Sequence, residues 1–509
     1  MPKDLHPVIG LEIHVQLKTK SKMFCADDNS GENKPPNTTI SVISTGQPGT
    51  LPVANKKAIE WTVLAGLALN CEIPARFEFE RKNYFYPDLP KGYQITSSTN
   101  PPCKGGFLEI SENGETKKIR LHHIHLEEDA AKNFHSTDGK HTLVDYNRAG
   151  TPLMEIVTEP DIRTPAQAKI FLQELRLIMR YLNISDADME KGHMRCDANI
   201  SLTDEMNDHG EVKKYYPKTE VKNLNSFKSV EKALEYEIKR QSKIWEDGSK
   251  PHQATRGWND DKGISEEQRT KEAVHDYRYF PEPDIPSINL LDKKIINVEE
   301  IQLSLPELPQ AKKIRFQKQM NISGNDAKTL VGDKPLSEFF EQTVSELHEW
   351  VTGLPELDGT KEENWEIGGK KAVKLANNWL LNNLITYLNR EGISIDECKI
   401  TPENFAEFIS LIYSKKINST IAQTLLNKMY ETGSDPSSII DQADLSGGAS
   451  QEELNTVIDG VIKQNADAVE NYKKGKLNAV MFMVGQVMKE TKGKEDANNI
   501  KELLIKKIS

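Results

Sequence analysis

Residues Met194–Leu202, MRCDANISL, hold the first candidates for chemistry. In an extended strand Arg195, Asp197, Asn199 and Ser201 share one face, while Met194, Cys196, Ala198, Ile200 and Leu202 share the other. An ordinary solvated strand carries Lys, Glu and Thr. A guanidinium, a carboxylate, an amide and a hydroxyl in a row are instead groups that hold phosphate and a hard metal ion.

Val8–Leu17, VIGLEIHVQL, has the same design, with Leu11, Ile13, Val15 and Leu17 opposite Glu12, His14 and Gln16. Glu12 and His14 point the same way and can reach one divalent ion, although a solvated edge strand would show the same alternation. Phe77–Asp88, FEFERKNYFYPD, reads as a third alternating strand, placing Glu78, Glu80, Lys82, Tyr84 and Tyr86 on one side. Lys82 offers a point charge and Tyr84 a donor or stacking surface to a phosphate or nucleotide; aromatic strands also serve packing. Arg120–Lys132, RLHHIHLEEDAAK, concentrates histidines and acids. A zinc site is the first to test there, but the weight of carboxylates and the lack of HExxH spacing suit Mg2+ or Mn2+ better. His122 and His123 fit packing or the surface equally well. Asp145, Asn147, Arg148, Glu155 and Glu159 add polar groups on short strand-like segments, and Lys218, Glu220 and Lys222 share a face in KTEVKNL.

These side chains need elements to position them. Asn55 is placed to cap a helix over Lys56–Leu69. Thr164 and Pro165 open a second helix, with Gln167 completing a capping box and Phe171, Leu175, Ile178, Met179 and Leu182 forming a buried stripe. Asn225 or Ser226 caps a third, in which Val230, Leu234, Ile238 and Gln241 lie together, whereas Asn29–Pro52 reads as loop. Polar-faced strands interrupted by amphipathic helices and short links predict an α+β domain on an antiparallel sheet with one wet face. Neither GxxxxGK[ST] nor GxGxxG after a strand is present, so a nucleotide would be held by metal and side chains.

With 66 Lys+Arg against 77 Asp+Glu in 509 residues, the net charge of -11 argues against a uniformly basic nucleic-acid sheath and makes any RNA contact regional. The length suits about three domains of ~150 residues. Cys25, Cys71, Cys103, Cys196 and Cys398 are scattered without a CxxC pair, which indicates neither a disulfide framework nor a cysteine zinc site. No apolar run approaches the ~20 residues of a membrane span, and Met1–Pro7 is short and polar, so a soluble cytoplasmic protein is expected. Pro281, Pro283 and Pro286 precede a shift to Lys- and Glu-rich helical sequence, which puts domains at 1–295, 296–400 and 401–509. Asn377–Leu388 and Pro402–Tyr413 read as bundle helices, and Gly433–Gly448 as a polar connector. In the tail Leu477, Val480, Met481, Val484, Val487 and Met488 form a stripe. Asn471–Ser509 holds nine Lys and no Arg against four acids.

The words GLEIHVQL, ERKNYFYPDLPKGYQI, HLEEDAAK, VDYNRAGTPLMEIVTEPDIRTP, MRCDANISL, KTEVKNLNSF and HDYRYFPEPDIP, in this order, closely resemble the B subunit of the tRNA-dependent amidotransferase family. The likeness spans most of residues 8–286, and LNAVMFMVGQVMKETKGK resembles the family's tail domain. It implies a cradle around an antiparallel sheet, similar to glutamine synthetase, followed by helical and tail domains. It also implies an enzyme that uses ATP and Mg2+ to phosphorylate the side-chain carboxyl of Glu or Asp carried by tRNA(Gln) or tRNA(Asn). Ammonia from an amidase A subunit then displaces phosphate, while a small C subunit straps the other two together. Glu12, His14, Glu128 and Glu155 lie in the family's metal-binding words; Asp197 and Glu220 are further candidate ligands. Lys82, Tyr84, Arg148 and Arg195 are candidates for phosphate and acyl substrate, with Lys82, Tyr84 and Arg195 toward ATP and Asp197 in catalysis.

Many family members carry a four-cysteine zinc knuckle where Cys25 stands alone, so no structural zinc is expected. The 252–275 segment departs somewhat from the family's version, which leaves the roles of Arg256 and Arg269 open. The resemblance implies that the tail lysines meet tRNA phosphates. No Gly- and Ser-rich amidase segment is present, so ammonia must come from a partner. Competing readings are a stand-alone ligase amidating a free carboxylate and an RNA-binding scaffold whose acids hold structural Mg2+. Which misacylated tRNA is used depends on the cell's synthetases.

Overall fold

The computed structural model describes residues 4–207, 210–270, 276–353, 360–442, 451–474, 476, 478–491 and 497–508. It divides into units Met1–Pro309 and Gln310–Ser509.

The first unit begins β1 (His6–Gln16), α1 (Lys56–Ala68), β2 (Arg76–Phe77), β3 (Glu80–Asn83), β4 (Tyr93–Thr96), β5 (Cys103–Lys104), β6 (Phe107–Glu112) and β7 (Glu115–Glu128). It continues β8 (Lys132–His135), β9 (Thr142–Asp145), β10 (Pro152–Thr158), α2 (Pro165–Tyr181), β11 (Met194–Thr203), β12 (Thr219–Leu224), α3 (Phe227–Glu246), β13 (Ala254–Asn259), β14 (Ile264–Thr270), β15 (Phe280–Pro281), β16 (Ile288–Asn289) and α4 (Val298–Leu303). The main sheet runs β14-β13-β12-β11-β1-β10-β7-β5, with β6 paired to β7. β1 is central because its apolar face is buried almost without gap: Ile9, Leu11, Ile13 and Val15 are at most 1 % exposed. Met154 and Ile156 of β10 and Cys196, Ala198 and Ile200 of β11 continue that layer. α2 and α3 pack on each other, with α2 against β6 and α3 against β11. The opposite face carries the polar positions.

The architecture is α+β, an N-terminal sheet unit followed by helices, but the sheet is not wholly antiparallel. β12 and β13 run parallel, from Thr219↔Ala254 to Lys222↔Gly257. The reason is the connection: α3 lies between them, and a helical crossover returns the chain in its original direction. The third alternating strand is also interrupted. Only Arg76–Phe77 and Glu80–Asn83 pair, in two different small sheets, and Asn83 then turns to Tyr277 and Arg278 through backbone and side-chain hydrogen bonds.

The caps follow the sequence. Asn55 accepts from the Lys57 and Ala58 N–H groups, and Ser226 from that of Ser229. Thr164 accepts from Gln167 N at 3.0 Å, but Gln167 does not reciprocate: its carbonyl accepts from Arg163 N (2.9 Å) and its amide donates to Glu112 (3.0 Å). α3 buries Val230, Leu234 and Gln241 as expected, and Glu237 beside them.

The second unit is helical: α5 (Pro309–Gln319), α6 (Gly324–Val331), α7 (Lys334–Thr352), α8 (Lys361–Trp379), a π-helical stretch (Leu380–Leu384), α9 (Ile385–Glu391), α10 (Pro402–Tyr413), α11 (Ser419–Thr432) and α12 (Pro436–Gln442). It ends in α13 (Gln451–Gln464), α14 (Ala466–Lys473), α15 (Asn478–Glu490) and α16 (Ala497–Ile508). Asn377–Leu388 is helical throughout but crosses the π-helical stretch. The connector contains α12; its residues 443–448 lie outside the described ones. The tail core uses Val480, Met483, Val484 and Val487, whereas Met481 is 54 % exposed. Positions i, i+3, i+4 and i+7 share a helix face, and Met481 is one residue off it. Leu477 lies outside the described residues.

Candidate active site on the wet face of the main sheet

Registers bring the polar positions together. On β1, Glu12 is opposite Asp197 of β11, and His14 is opposite Arg195 on one side and Glu155 of β10 on the other. Glu155 in turn faces His125 of β7. Glu12, His14 and Glu155 offer ligand atoms within 4.8 Å of one another, and so do His125, Glu127 and Glu155. Glu155 belongs to both groups. Its Oε2 lies 3.1 Å from His14 Nε2 and 3.1 Å from His125 Nε2.

The imidazoles bring positive charge to these carboxylates. Burial alone would lower His125, but Glu155 and Glu127 outweigh it and push the imidazolium up to about 10. Burial likewise opposes a raised His14, which Glu155 and then Glu127 hold up. Burial would raise Glu155, yet His125 and His14 keep it well below the usual carboxylate range. Glu12 is raised, first by burial and then by Glu155, with Asp197 adding a further like charge. His123 lies 2.9 Å from His125 Nδ1; burial and the neighbouring His125 and His122 push it down to about 4. A neutral His123 therefore accepts from a charged His125.

Further along β11, Arg195 donates to Asp129 Oδ1 (2.8 Å), while Gln16 donates to Asp129 Oδ2 (2.8 Å). Burial would raise Asp129, but Arg195 and Arg148 hold it below its usual value. Arg148 is tied to the Ala130 and Ala131 carbonyls at 2.9 and 2.8 Å. On the other side, Lys222 Nζ lies 2.8 Å from Asp197 and 3.2 Å from Glu220. Lys82 comes from the small β3–β4–β15 sheet, its Nζ 5.1 Å from the Tyr277 ring centroid. Burial opposes its charge; Glu127, Tyr279 and Glu155 keep it above the ordinary lysine range. Tyr84 packs edge-on against Tyr277, and burial pushes its hydroxyl up to about 12.

Of the residues selected from sequence, Glu12, His14 and Glu155 converge, with Asp197 and Arg195 in the next strand. Glu220 is one strand further away, receiving a hydrogen bond from Thr255 (2.8 Å). Glu128 points away from the cluster: Lys91 Nζ lies 2.5 Å from both its oxygens, and Ile95 N donates to it at 3.1 Å. Its neighbour Glu127 takes the place beside His125. Parity carried that signal, since buried Ile124 and Leu126 put Glu128 on their side and His125 and Glu127 on the other. Asp129, Lys91 and Lys222 were also not selected. Arg256 clamps Ser265, Glu267 and the buried Glu237, a structural task; the Arg269 side chain lies outside the described ones. Cys25 is in neither donor group, and burial pushes its thiol up to about 11.

The donor set of carboxylates with two imidazoles fits a divalent ion such as Mg2+ or Mn2+. Beside that set the sheet face carries a guanidinium and two lysines. The family model described as the GatB/GatE catalytic domain matches residues 7–297, and one described as the GatB domain matches residues 366–508. Proteins named as the B subunit of aspartyl/glutamyl-tRNA(Asn/Gln) amidotransferase share the whole chain: one from Caldanaerobacter subterraneus subsp. tengcongensis is 44% identical, with 99% of each chain covered. That from Persephonella marina is 42% identical (98% of this chain, 99% of the relative), and that from Carboxydothermus hydrogenoformans 41% (100% and 99%). The chain belongs to the family of aspartyl/glutamyl-tRNA amidotransferase B subunits, which are ligase components. No described helix is long and apolar enough to cross a membrane.

Proposed function

We propose that this chain phosphorylates the side-chain carboxyl of Glu or Asp esterified to tRNA(Gln) or tRNA(Asn), with ATP as donor. Ammonia then displaces the phosphate, supplied by an amidase A subunit that a small C subunit holds in place. The supporting observation is the Glu12, His14, Glu155, His125 and Glu127 cluster flanked by Arg195, Lys82 and Lys222.

The chemistry needs such a face. A carboxylate resists ammonia because oxide would have to leave, and an acyl phosphate supplies a better leaving group. Moving a γ-phosphoryl group concentrates negative charge that cations must balance. Glu12, His14 and Glu155 would hold one Mg2+, with His125 and Glu127 beside it. When bound, the ion screens phosphate charge and orients its oxygens. Arg195, fixed by Asp129, presents its guanidinium to phosphoryl or acyl oxygen. Lys82 adds charge from the adjoining small sheet. Lys222 holds Asp197 in place opposite Glu12. Tyr84 and Arg148 stand at the margins, toward ATP and the acyl substrate.

In this reading 1–295 is a cradle similar to glutamine synthetase, 296–400 a helical domain and 401–509 a tRNA-binding tail. The protein works in the cytoplasm. Tail lysines meet phosphates, so affinity falls with salt in proportion to the contacts made. The test is ATP hydrolysis with misacylated tRNA, free glutamate or uncharged tRNA, with and without the two partner subunits. Stimulation confined to misacylated tRNA supports the reading; stimulation by free glutamate points to a stand-alone ligase, and an inert assembled complex to a scaffold.

A further inference from the structure

β7 carries His122, His123 and His125 close together, and the first two are adjacent. Strict alternation would send adjacent side chains to opposite faces of the sheet. The buried residues on either side show that alternation breaks here. Leu121 and Ile124 both belong to the core, although an odd number of positions separates them. The cause is a β-bulge: β10 advances one residue, from Val157 to Thr158, while its partners on β7 step from His123 to Leu121. His122 is the extra residue, so His122 and His123 both turn away from the core. Their Nδ1 atoms lie 2.6 Å apart.

His123 also shares a face with His125. The two rings stack, with centroids 5.1 Å apart, and His123 Nε2 lies 2.9 Å from His125 Nδ1. The other nitrogen of His125, Nε2, lies 3.1 Å from Glu155 Oε2 and 3.5 Å from Glu127 Oε2, inside the second donor group. The bulge thereby lines up a chain of rings from the exposed His122 to the buried His125 and the carboxylate shared by both groups. An imidazole that gives one nitrogen to an ion carries its proton on the other, and the group accepting that proton fixes the ring. With Nε2 toward an ion, His125 donates from Nδ1 to His123 Nε2. His123 then holds its own proton on Nδ1 and donates to His122 Nδ1, so each ring has one arrangement left.

We propose that His123 is a positioning residue, which holds the His125 ring and its proton so that Nε2 is presented to a divalent ion beside Glu155 and Glu127. It rests on the functional reading above and deepens it. A carboxylate, a backbone carbonyl or a water commonly takes the place that His123 occupies. A carboxylate there would add negative charge to a face already crowded by Glu12, Glu127 and Glu155. An uncharged imidazole fixes the ring without that addition.

The test uses the full chain and the variants His123→Leu and His123→Gln. Leu fills the space and accepts nothing, whereas the Gln carbonyl reaches toward the place of Nε2 and accepts. Mn2+ affinity should fall about tenfold or more in His123→Leu, the usual effect of losing such a partner, and be retained in His123→Gln. Pulsed paramagnetic resonance of bound Mn2+ adds a signature that packing alone would not move. The imidazole nitrogen coupling that His125→Ala removes should vanish in His123→Leu and persist in His123→Gln. Nitrogen NMR of the Mg2+-loaded wild type, labelled at histidine, needs no substitution and should find the protons of His123 and His125 on Nδ1. Wild-type Mn2+ affinity in His123→Leu, equal losses in both His123 variants at unchanged Tm, or a proton on His123 Nε2 in the loaded wild type overturns the proposal. ATP hydrolysis by the unmodified complex scores the functional reading separately, so an active enzyme whose Mn2+ binding ignores His123 refutes this inference alone.

Discussion

Divalent-ion binding at the Glu155 cluster should expel protons. An imidazole binds a metal through the lone pair that a proton occupies in its charged form. In the metal-free protein Glu155 and Glu127 keep His125 protonated to about 10 against burial, and His14 is raised by the same carboxylates. At pH 7, about three units below the His125 value, releasing that proton costs about 4 kcal/mol. The ion must supply this cost from its own coordination. Apparent Mn2+ affinity should therefore rise about tenfold per pH unit for each proton displaced, one if only His125 deprotonates and two if His14 does as well. Titration calorimetry at pH 7 and 8, in buffers of different ionisation enthalpy, counts those protons directly. Mn2+ binding with no proton release and no pH dependence would refute the charge arrangement. Glu155→Gln should abolish tight binding, because it removes the carboxylate common to both donor groups.

The same shifts set the pH stability of the metal-free protein. A raised histidine contributes fully below its unfolded value near 6.5 and loses its contribution as pH rises through about 10, so Tm should decline over that window and recover with Mn2+. The depressed Glu155 has the opposite sign: its contribution is present above about 4.5 and is lost as acid protonates it, which acid titration of ellipticity would show. Asp197→Asn should leave the fold intact and slow phosphorylation at least about tenfold; a wild-type rate would remove Asp197 from the mechanism. Asn147→Ala removes the acceptor of the Thr38 and Thr39 N–H groups at 2.8 and 2.9 Å and should cost about 1–3 kcal/mol in urea unfolding, with faster proteolysis around residues 31–39. Deleting residues 401–509 should weaken tRNA binding and flatten its salt slope; an unchanged slope would clear the tail of phosphate contacts.

Much of the sheet unit was legible because alternation is local. VIGLEIHVQL and MRCDANISL displayed their buried and wet faces directly, and Asn55, Thr164 and Ser226 marked helix starts through a side-chain oxygen adjacent to unpaired N–H groups. Local signals failed where a competing partner lay far away in the chain. Gln167 bonds Arg163 and Glu112 instead of closing its box. The strand through Glu80 ends because Asn83 pairs with residues almost two hundred positions later. Glu237, itself buried, pairs with Arg256 of β13, and Lys91 meets the buried Glu128 of β7, partners that another element brings.

By itself the sequence determined which side chains share a face, where helices begin, and the family through its long ordered words. Only the tertiary structure decided which faces meet. Strand order places Glu12 and His14 between Glu155 and the Asp197–Arg195 pair, because β1 lies between β10 and β11 and shares its buried apolar layer with both. Register chose Glu127 over Glu128, and the α3 crossover turned β13 parallel to β12. Periodicity is a property of a few adjacent residues, whereas neighbour identity depends on contacts between segments more than a hundred residues apart, and burial across the whole sheet selects among them.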